Sequence, residues 1–226
     1  MEEWKKVKLG DIVSIKGGKR LPKGVNLITI PNTHPYIRVR DLGGTKYLEL
    51  NSSYEYIDSH TQKLISRYIV NTGDILISIV GTIGLVGLVG KSLNWANLTE
   101  NCVKIVDLNC VEADFLYYYL KSAVGQSEIA KATVGAVQAK LPIKNIQNIP
   151  ILLPPLSVQQ RIANILSSLD DKIALNTRIN DNLIFITDLF ISKLFDMQTV
   201  IMMFFEKRKI REQFIEKENT QYNLAA

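Results

Sequence analysis

The sequence predicts an α+β protein: a globular domain with a mainly β core and short helices, followed by a long coiled-coil-forming α-helix. Three observations carry this. Before Pro154-Pro155, short apolar runs alternate with Gly, Pro and Asn clusters, the pattern of strands and turns. After that pair, Leu156 to Phe195 holds no Gly or Pro and repeats apolar residues every three or four positions, the period of a helix with one buried face. Such a helix is roughly 60 Å long at 1.5 Å per residue, against an average of ~11–12 residues, and it needs another long helix beside it to bury its stripe.

The chain is therefore divided into residues 1–155, a globular domain; 156–195, a long helix serving as spacer and pairing surface; and 196–226, a tail that either continues the helix or is partly disordered. Ser157 is the expected N-cap of the helix, with Gln160 completing a capping box. The pairing stripe is Ile162, Leu166, Leu169, Ile173, Leu183, Ile186, Phe190 and Leu194, with Asn176 and Asn180 inside it. Polar residues in such a stripe fix register and partner at some cost in stability. The alternative, an ordinary core helix, has only some 30 following residues to pack on it.

Hydrophobic residues make up 46% of the 226, enough for a packed core and against wholesale disorder. The net charge of +5 is unevenly placed: residues 1–156 carry 18 Lys and Arg against 13 Asp and Glu, and residues 157–226 carry nine of each. The surplus thus sits on the first domain and fits nucleic acid, although many basic proteins bind none. Cys102 and Cys110, with His34 and His60, match no zinc spacing and read as free thiols in a reducing cytoplasm. The N-terminus lacks the apolar core of a signal peptide, and the longest apolar stretch, Ile75 to Gly90, is too short for a membrane helix. A soluble, cytoplasmic protein with no membrane partner is expected.

Along the chain, Trp4 to Ile15 alternates as a strand with a turn at Gly10-Asp11. Lys16 to Gly24, KGGKRLPKG, is a strongly basic loop: either donors aimed at phosphates or a solvated turn. His34 to Gly44 is a strand that puts Ile37 and Val39 on one face and Arg38 and Arg40 on the other, where they reach phosphates or guanine edges, or solvent. Ile75 to Val80 is a buried strand, followed by glycines at 81, 84, 87 and 90. Gly90-Lys91-Ser92 resembles the end of a phosphate-binding P-loop, but Leu85 stands where that motif requires Gly. Two strands or a bulged hairpin fit better. Asn101 to Asp107 is a strand, and Glu112 to Ser122 a helix with Phe115, Leu116, Tyr119 and Leu120 inward. A short helix over Gln126 to Ala132, a loop to Pro142 and an extended segment Ile146 to Leu153 close the domain.

No catalytic motif emerges. LLPPLS lacks the aromatic of an exocyclic-amine methyltransferase motif, and the E-x-K at Glu3-Trp4-Lys5 has no upstream Asp for a nuclease. H-E-x-x-H and G-x-S-x-G are absent.

Several segments together resemble the specificity subunit of type I restriction–modification systems: WKKVKLGDIVSIKGGKR, YIRVRDL, GDILISIVGTIGLVG, EADFLYYYL and, most strongly, IKNIQNIPILLPPLSVQQRIANILSSLDDKI. The resemblance spans roughly residues 4 to 195 and implies a target recognition domain followed by a long helix. In that family two such units in tandem pair their helices antiparallel and read the halves of an interrupted DNA sequence. The subunit is a scaffold without catalytic, metal or cofactor residues. A partner modification subunit methylates adenine using S-adenosylmethionine, and a restriction subunit uses ATP and Mg. This chain has one domain and one helix. The resemblance therefore implies a half-size subunit that forms a homodimer and reads a palindrome with an unspecified spacer, or an inactive truncated product if the tail blocks pairing. The resemblance and the loop readings together nominate Lys19, Arg20 and Lys23 for phosphates of double-stranded DNA, Arg38 and Arg40 for phosphates or guanine edges, and Thr82, Gln138 and Lys140 for DNA-facing loops. The competing class is a coiled-coil adaptor whose globular domain binds protein.

Overall fold

A computed structural model of the chain describes residues 4–223, with side chains described for all of these except 210 and 213–223. The described residues fall into two units that divide after Asp170. Glu3 of the E-x-K and the last three residues of the expected tail lie outside the described residues.

The first unit is built as the α+β class expects. The N-terminal stretch forms β1 (Lys5–Lys8), a single helical turn α1 (Leu9–Ile12) in place of the expected Gly10-Asp11 turn, and β2 (Ser14–Gly17). Next come β3 (Pro35–Ile37), β4 (Tyr47–Leu48), β5 (Glu55–Tyr56) and the short helix α2 (Ser59–Leu64). The glycine-rich middle is an antiparallel hairpin of β6 (Ile75–Ser78) and β7 (Val86–Val89). Then follow β8 (Asn97–Leu98), β9 (Cys102–Val106), and helices α3 (Ala113–Lys121), α4 (Ala123–Ala132) and α5 (Ile143–Gln147). Strand β10 (Pro150–Leu153) leads into α6 (Leu156–Asn223).

Three sheets result. Five strands pair in the order β2-β9-β6-β7-β4, three in the order β5-β3-β8, and β1 pairs antiparallel with β10. That last pairing sets Lys5 opposite Leu153 and ties the start of the chain to the strand just ahead of Pro154-Pro155. The five-stranded sheet is covered on both faces. Ile75, Ile77, Val103 and Ile105 join a core with Phe115, Leu116 and Leu120 of α3, Ile129 of α4 and Ile146 of α5. The alternate residues Leu76 and Cys102 enter a second core with Ile37, Leu48 and Leu98. Side chains on a strand alternate faces, so burial on both sides demands the unbroken apolar run of β6.

Local capping decides several boundaries. The Asp58 carboxylate accepts the Thr61 N–H at 2.9 Å and starts α2. Ser122 Oγ accepts the Gly125 N–H at 3.1 Å, so α4 begins at Ala123 rather than Gln126. The segment expected to be extended from Ile146 is helical there, because the Pro142 carbonyl accepts N–H groups of Asn145 and Ile146 at 2.9 and 3.0 Å. Helix α6 starts two residues earlier than a Ser157 cap requires: the Pro155 carbonyl accepts the N–H groups of Val158 and Gln159. It is Gln159, not Gln160, that is buried, and its amide donates to the Cys110 and Pro154 carbonyls and accepts the Glu112 N–H at 2.9 Å. Ala163 is buried and Ile162 packs against the first core.

The second unit, from Asp171, is the remainder of α6. The helix runs on past Phe195 to Asn223. Its apolar side chains are exposed, among them Leu183, Phe190 and Phe205. Among the described residues no helix is long and apolar enough to cross a membrane.

Two predictions test this packing. A Cβ on Gly18 would overlap the Thr99 and Leu98 carbonyl oxygens, whereas one on Gly17 would meet only the Ile143 Cδ1 at 3.8 Å. Gly18→Ala should destabilise the domain by about 1–3 kcal/mol in urea unfolding, while Gly17→Ala is neutral or stabilising by up to about 1 kcal/mol. Ser92 and the Lys91 and Ser92 backbone N–H groups hold the Glu49 carboxyl below its ordinary 4.5. That contribution is present above pH 4.5 and lost as pH falls through the depressed folded value. The Tm difference between wild type and Glu49→Gln should therefore shrink on acidification toward pH 3 (about one unit below the ordinary carboxylate range).

Candidate nucleic-acid interface

The strand registers bring four chain segments to one end of the five-stranded sheet. Gly17 at the end of β2 lies opposite Val103, Ser78 at the end of β6 opposite Cys102, and Ile77 opposite Val86 at the start of β7. The segments leaving that edge are the basic loop after Gly17, the turn Thr99–Asn101 and the β6–β7 loop. A fourth, residues 134–140, is stitched on by the Val80–Lys140 bridge and by the Leu141 N–H donating to the Ile79 carbonyl at 3.0 Å.

The basic loop is held by its backbone. Gly18 N–H donates to the Cys102 carbonyl at 3.0 Å, Lys19 N–H to the Leu98 carbonyl at 2.8 Å, and Tyr36 OH to the Lys19 carbonyl at 2.7 Å. These bonds leave the Lys19 side chain exposed, with Nζ 5.7 Å above the Tyr68 ring. Arg20 Nε donates to Glu100 Oε1 at 2.7 Å, with most of the guanidinium in solvent. Burial works to raise the Glu100 pKa, but the Arg20 hydrogen bond and the donors of its own turn hold it below the usual value. Lys23 sits exposed in the turn closed by Val25 N–H on the Pro22 carbonyl.

The β6–β7 loop is fixed by Ser78, whose hydroxyl donates to the Thr82 carbonyl at 2.6 Å and accepts the Leu85 N–H at 2.9 Å. Gly84 has a φ of 86°, and the Gln126 amide donates to its carbonyl at 3.0 Å. Thr82 is thereby presented to solvent on a rigid support. The 134–140 loop is closed by two 2.8 Å hydrogen bonds between the Val134 and Lys140 backbones, and Val137, Gln138 and Lys140 are exposed on it. Lys19, Arg20, Thr82, Gln138 and Lys140 thus come from segments far apart in sequence to one end of the sheet.

Arg38 and Arg40 differ from the expected picture. The strand ends at Ile37, and Val39–Asp41 is a turn of 3-10 helix. Asp41 is the cause: its carboxylate accepts the Arg38 N–H at 2.7 Å, which pulls the backbone out of the extended form. Burial raises the Asp41 pKa in spite of the neighbouring arginines. Both guanidiniums converge on Glu55, Arg38 in an ion pair with its Oε2 and Arg40 at 2.8 Å from the same oxygen. Arg40 also donates to the Ser53 carbonyl at 2.9 Å. The Thr99 N–H donates to the Ile37 carbonyl at 3.0 Å, so these arginines leave β3 beside the Thr99–Asn101 turn.

The P-loop-like Gly90-Lys91-Ser92 is occupied from within. The Glu49 carboxylate accepts the N–H groups of Lys91 and Ser92 at 3.2 and 3.0 Å and the Ser92 hydroxyl. Donors that a phosphate would need are taken by a carboxylate of the chain itself. Sequence reasoning missed Glu49, Glu55 and Glu100. Each acts across a fold-dependent contact, and no local pattern marks it. Among the described residues no group of three His, Cys, Asp or Glu is arranged to hold a metal ion.

The chain is 29% identical over 173 residues to the specificity subunit of type I restriction enzyme MjaVIII from Methanocaldococcus jannaschii, covering 76% of this chain and 37% of that protein. It is 28% identical over 190 residues to the HindI specificity subunit from Haemophilus influenzae, covering 81% of this chain and 39% of that one. The chain therefore spans well under half the length of these relatives. Its fold is similar to that of the HsdS subunit from Thermoanaerobacter tengcongensis, with a TM-score of 0.57 at 22% identity over 79% of this chain and 40% of that one. The S subunit from M. genitalium matches with a TM-score of 0.54 at 21% identity, over 76% of this chain and 40% of that one. The model of the type I restriction modification DNA specificity domain matches residues 1–183, and the chain belongs to that family.

Proposed function

We propose that this chain is a DNA-reading specificity subunit of a type I restriction–modification complex, in a half-size form, and that it carries no chemistry of its own. The observation that carries the reading is the convergence, within the family-matched residues 1–183, of Lys19, Arg20, Thr82, Gln138 and Lys140 at one end of a rigid sheet. Exposed cations there suit phosphates, and Thr82 and Gln138 offer the donors and acceptors that read base edges. Arg38 and Arg40, shared with Glu55, sit beside this surface as a reserve of charge that DNA phosphates can draw on. Residues 1–155 act as the recognition domain in the cytoplasm. Adenine methylation with S-adenosylmethionine belongs to a modification subunit, and ATP- and Mg-dependent cleavage to a restriction subunit.

Helix α6 supplies the second half of the reading. Ile162 and Leu166 are half-buried, Ile162 against the chain's own core, so the pairing surface begins at Leu169. From there Leu169, Ile173, Leu183, Ile186, Phe190 and Leu194 are exposed, with Asn176 and Asn180 between them. A second copy is the partner with the same stripe, and an isologous pair presents two identical recognition domains to a palindrome with a spacer.

Light scattering on the purified chain, alone and with a modification subunit, tests the pairing: twice the 25.5 kDa chain mass, or two copies per complex, is expected, and a monomer in both states rejects it. Lys19→Ala should weaken binding to all DNA sequences alike and lower the slope of log K against log salt by about 1. Glu55→Gln should do the reverse, raising non-specific affinity and steepening that slope, because it releases two arginines. Arg38→Ala should cost ~1–3 kcal/mol at one base position if Arg38 reads a guanine.

A further inference from the structure

The tip of the 134–140 loop carries no charge. Thr133 to Ala139 reads TVGAVQA, and Val134, Ala136, Val137 and Ala139 are all exposed. Val137 is the extreme, at 102%. An exposed valine by itself is ordinary on a protein surface. This one stands out by the way it is held and by its surroundings.

Val134 and Lys140 form an antiparallel bridge, with both hydrogen bonds at 2.8 Å, and Lys140 bridges in turn to Val80 just past β6. The base of the loop is tied to the helices beneath it. Thr133 Oγ1 donates to the Ile129 carbonyl at 2.9 Å, and the Asn145 amide of α5 donates to the Ala132 carbonyl at 2.7 Å. At the tip, Gly135 has a φ of 98°, and a Cβ there would lie 2.6 Å from the Gln138 carbonyl oxygen. The segment is thus a narrow two-stranded ribbon, closed at its neck and tightly turned at its end. It leaves the same end of the sheet as the basic loop that carries Lys19 and Arg20.

The major groove of B-DNA, ~12 Å wide, admits a two-stranded ribbon, whereas the minor groove is only ~6 Å wide. An uncharged tip has no ammonium or carboxylate to strip of water on entering, while the exposed Lys140 at the neck suits the phosphates that line the groove. Valine can donate and accept no side-chain hydrogen bond, so it cannot read the polar base edges. One apolar group is displayed in the major groove, the C5 methyl of thymine.

We infer that the tip of this ribbon enters the major groove and that Val137 is a specificity residue packing on the C5 methyl of a thymine in the target. This rests on the DNA-reading function proposed above. The target then holds a T·A pair recognised through its methyl group, and deoxyuridine, which pairs as thymidine does but lacks the methyl, is discriminated at that one position.

The test selects a target for the wild-type chain from randomised duplexes, then replaces each fixed thymine in turn by deoxyuridine. Binding is compared for wild type and Val137→Ala. Because nothing in the chain covers Val137, the variant should keep the wild-type Tm. Wild type should lose about fourfold in affinity at one thymine, the worth of one buried methyl group. Val137→Ala should lose a similar factor on the thymine duplex and nothing further on the uracil duplex, since the two changes remove one shared contact. A wild type indifferent to uracil at every position overturns the proposal, as does a variant that keeps the full uracil penalty or a selected target without a fixed T·A pair. In each of those cases the selected sequence leaves the DNA-reading function standing. If wild type selects no sequence and Lys19→Ala leaves the salt slope unchanged, both fail.

Discussion

The loop-bearing end of the protein depends on β6 and β9 being buried on both faces. Ile75, Ile77, Val103 and Ile105 face one core while Leu76 and Cys102 face the other. A slip of one residue would exchange every side chain between the two cores, so the register is tightly held. That register aligns Gly17, Ser78, Val86 and Cys102, and it alone decides which loops become neighbours. The depth of burial shows in Cys102, whose thiol pKa is pushed up to about 12 chiefly by desolvation. Lys104 is tolerated between these apolar residues because its Nζ reaches the Ile69 carbonyl at 2.6 Å and Asp74 at 3.7 Å.

A surplus of positive charge does not by itself make a free positive surface. Lys16 pairs with Asp107, Arg20 with Glu100, and Arg38 and Arg40 share Glu55. These exposed or partly exposed pairs contribute little to stability, but they orient long side chains. Phosphate oxygens compete with a partly solvated carboxylate on similar terms. A cation paired with a partly solvated carboxylate is oriented without being permanently neutralised. Glu49 illustrates the other outcome, a carboxylate that fills a nest of backbone donors and removes it from use.

The family match ends at residue 183, while the helix continues to Asn223. Its first turns belong to the domain, through Gln159, Ala163 and Ser167. Beyond Leu169 the apolar stripe has no cover within the chain's described residues. A helix of this length gains little from propensity alone, and packing on an apolar face supplies most helical stability. The same element thus serves the core at one end and offers a surface at the other.

The sequence by itself determined the α+β class, the long helix and most strands, because two-sided burial and the 3.6-residue period leave direct marks on residue order. It also carried the family, since segments such as YIRVRDL and LLPPLSVQQRIANIL keep their order and spacing. Local chemistry it read less well: Asp41 turned a predicted strand at Val39 into a helical turn, and the Pro142 carbonyl made a helix of Ile143–Gln147. Only the tertiary structure decided which residues meet. Glu55 lies 15 residues from Arg40, Glu100 lies 80 from Arg20, and Ser167 lies 121 from Lys46. Contacts of that separation follow from strand register and helix docking, which sum many weak apolar contacts across the whole chain and leave no mark at either partner's own position.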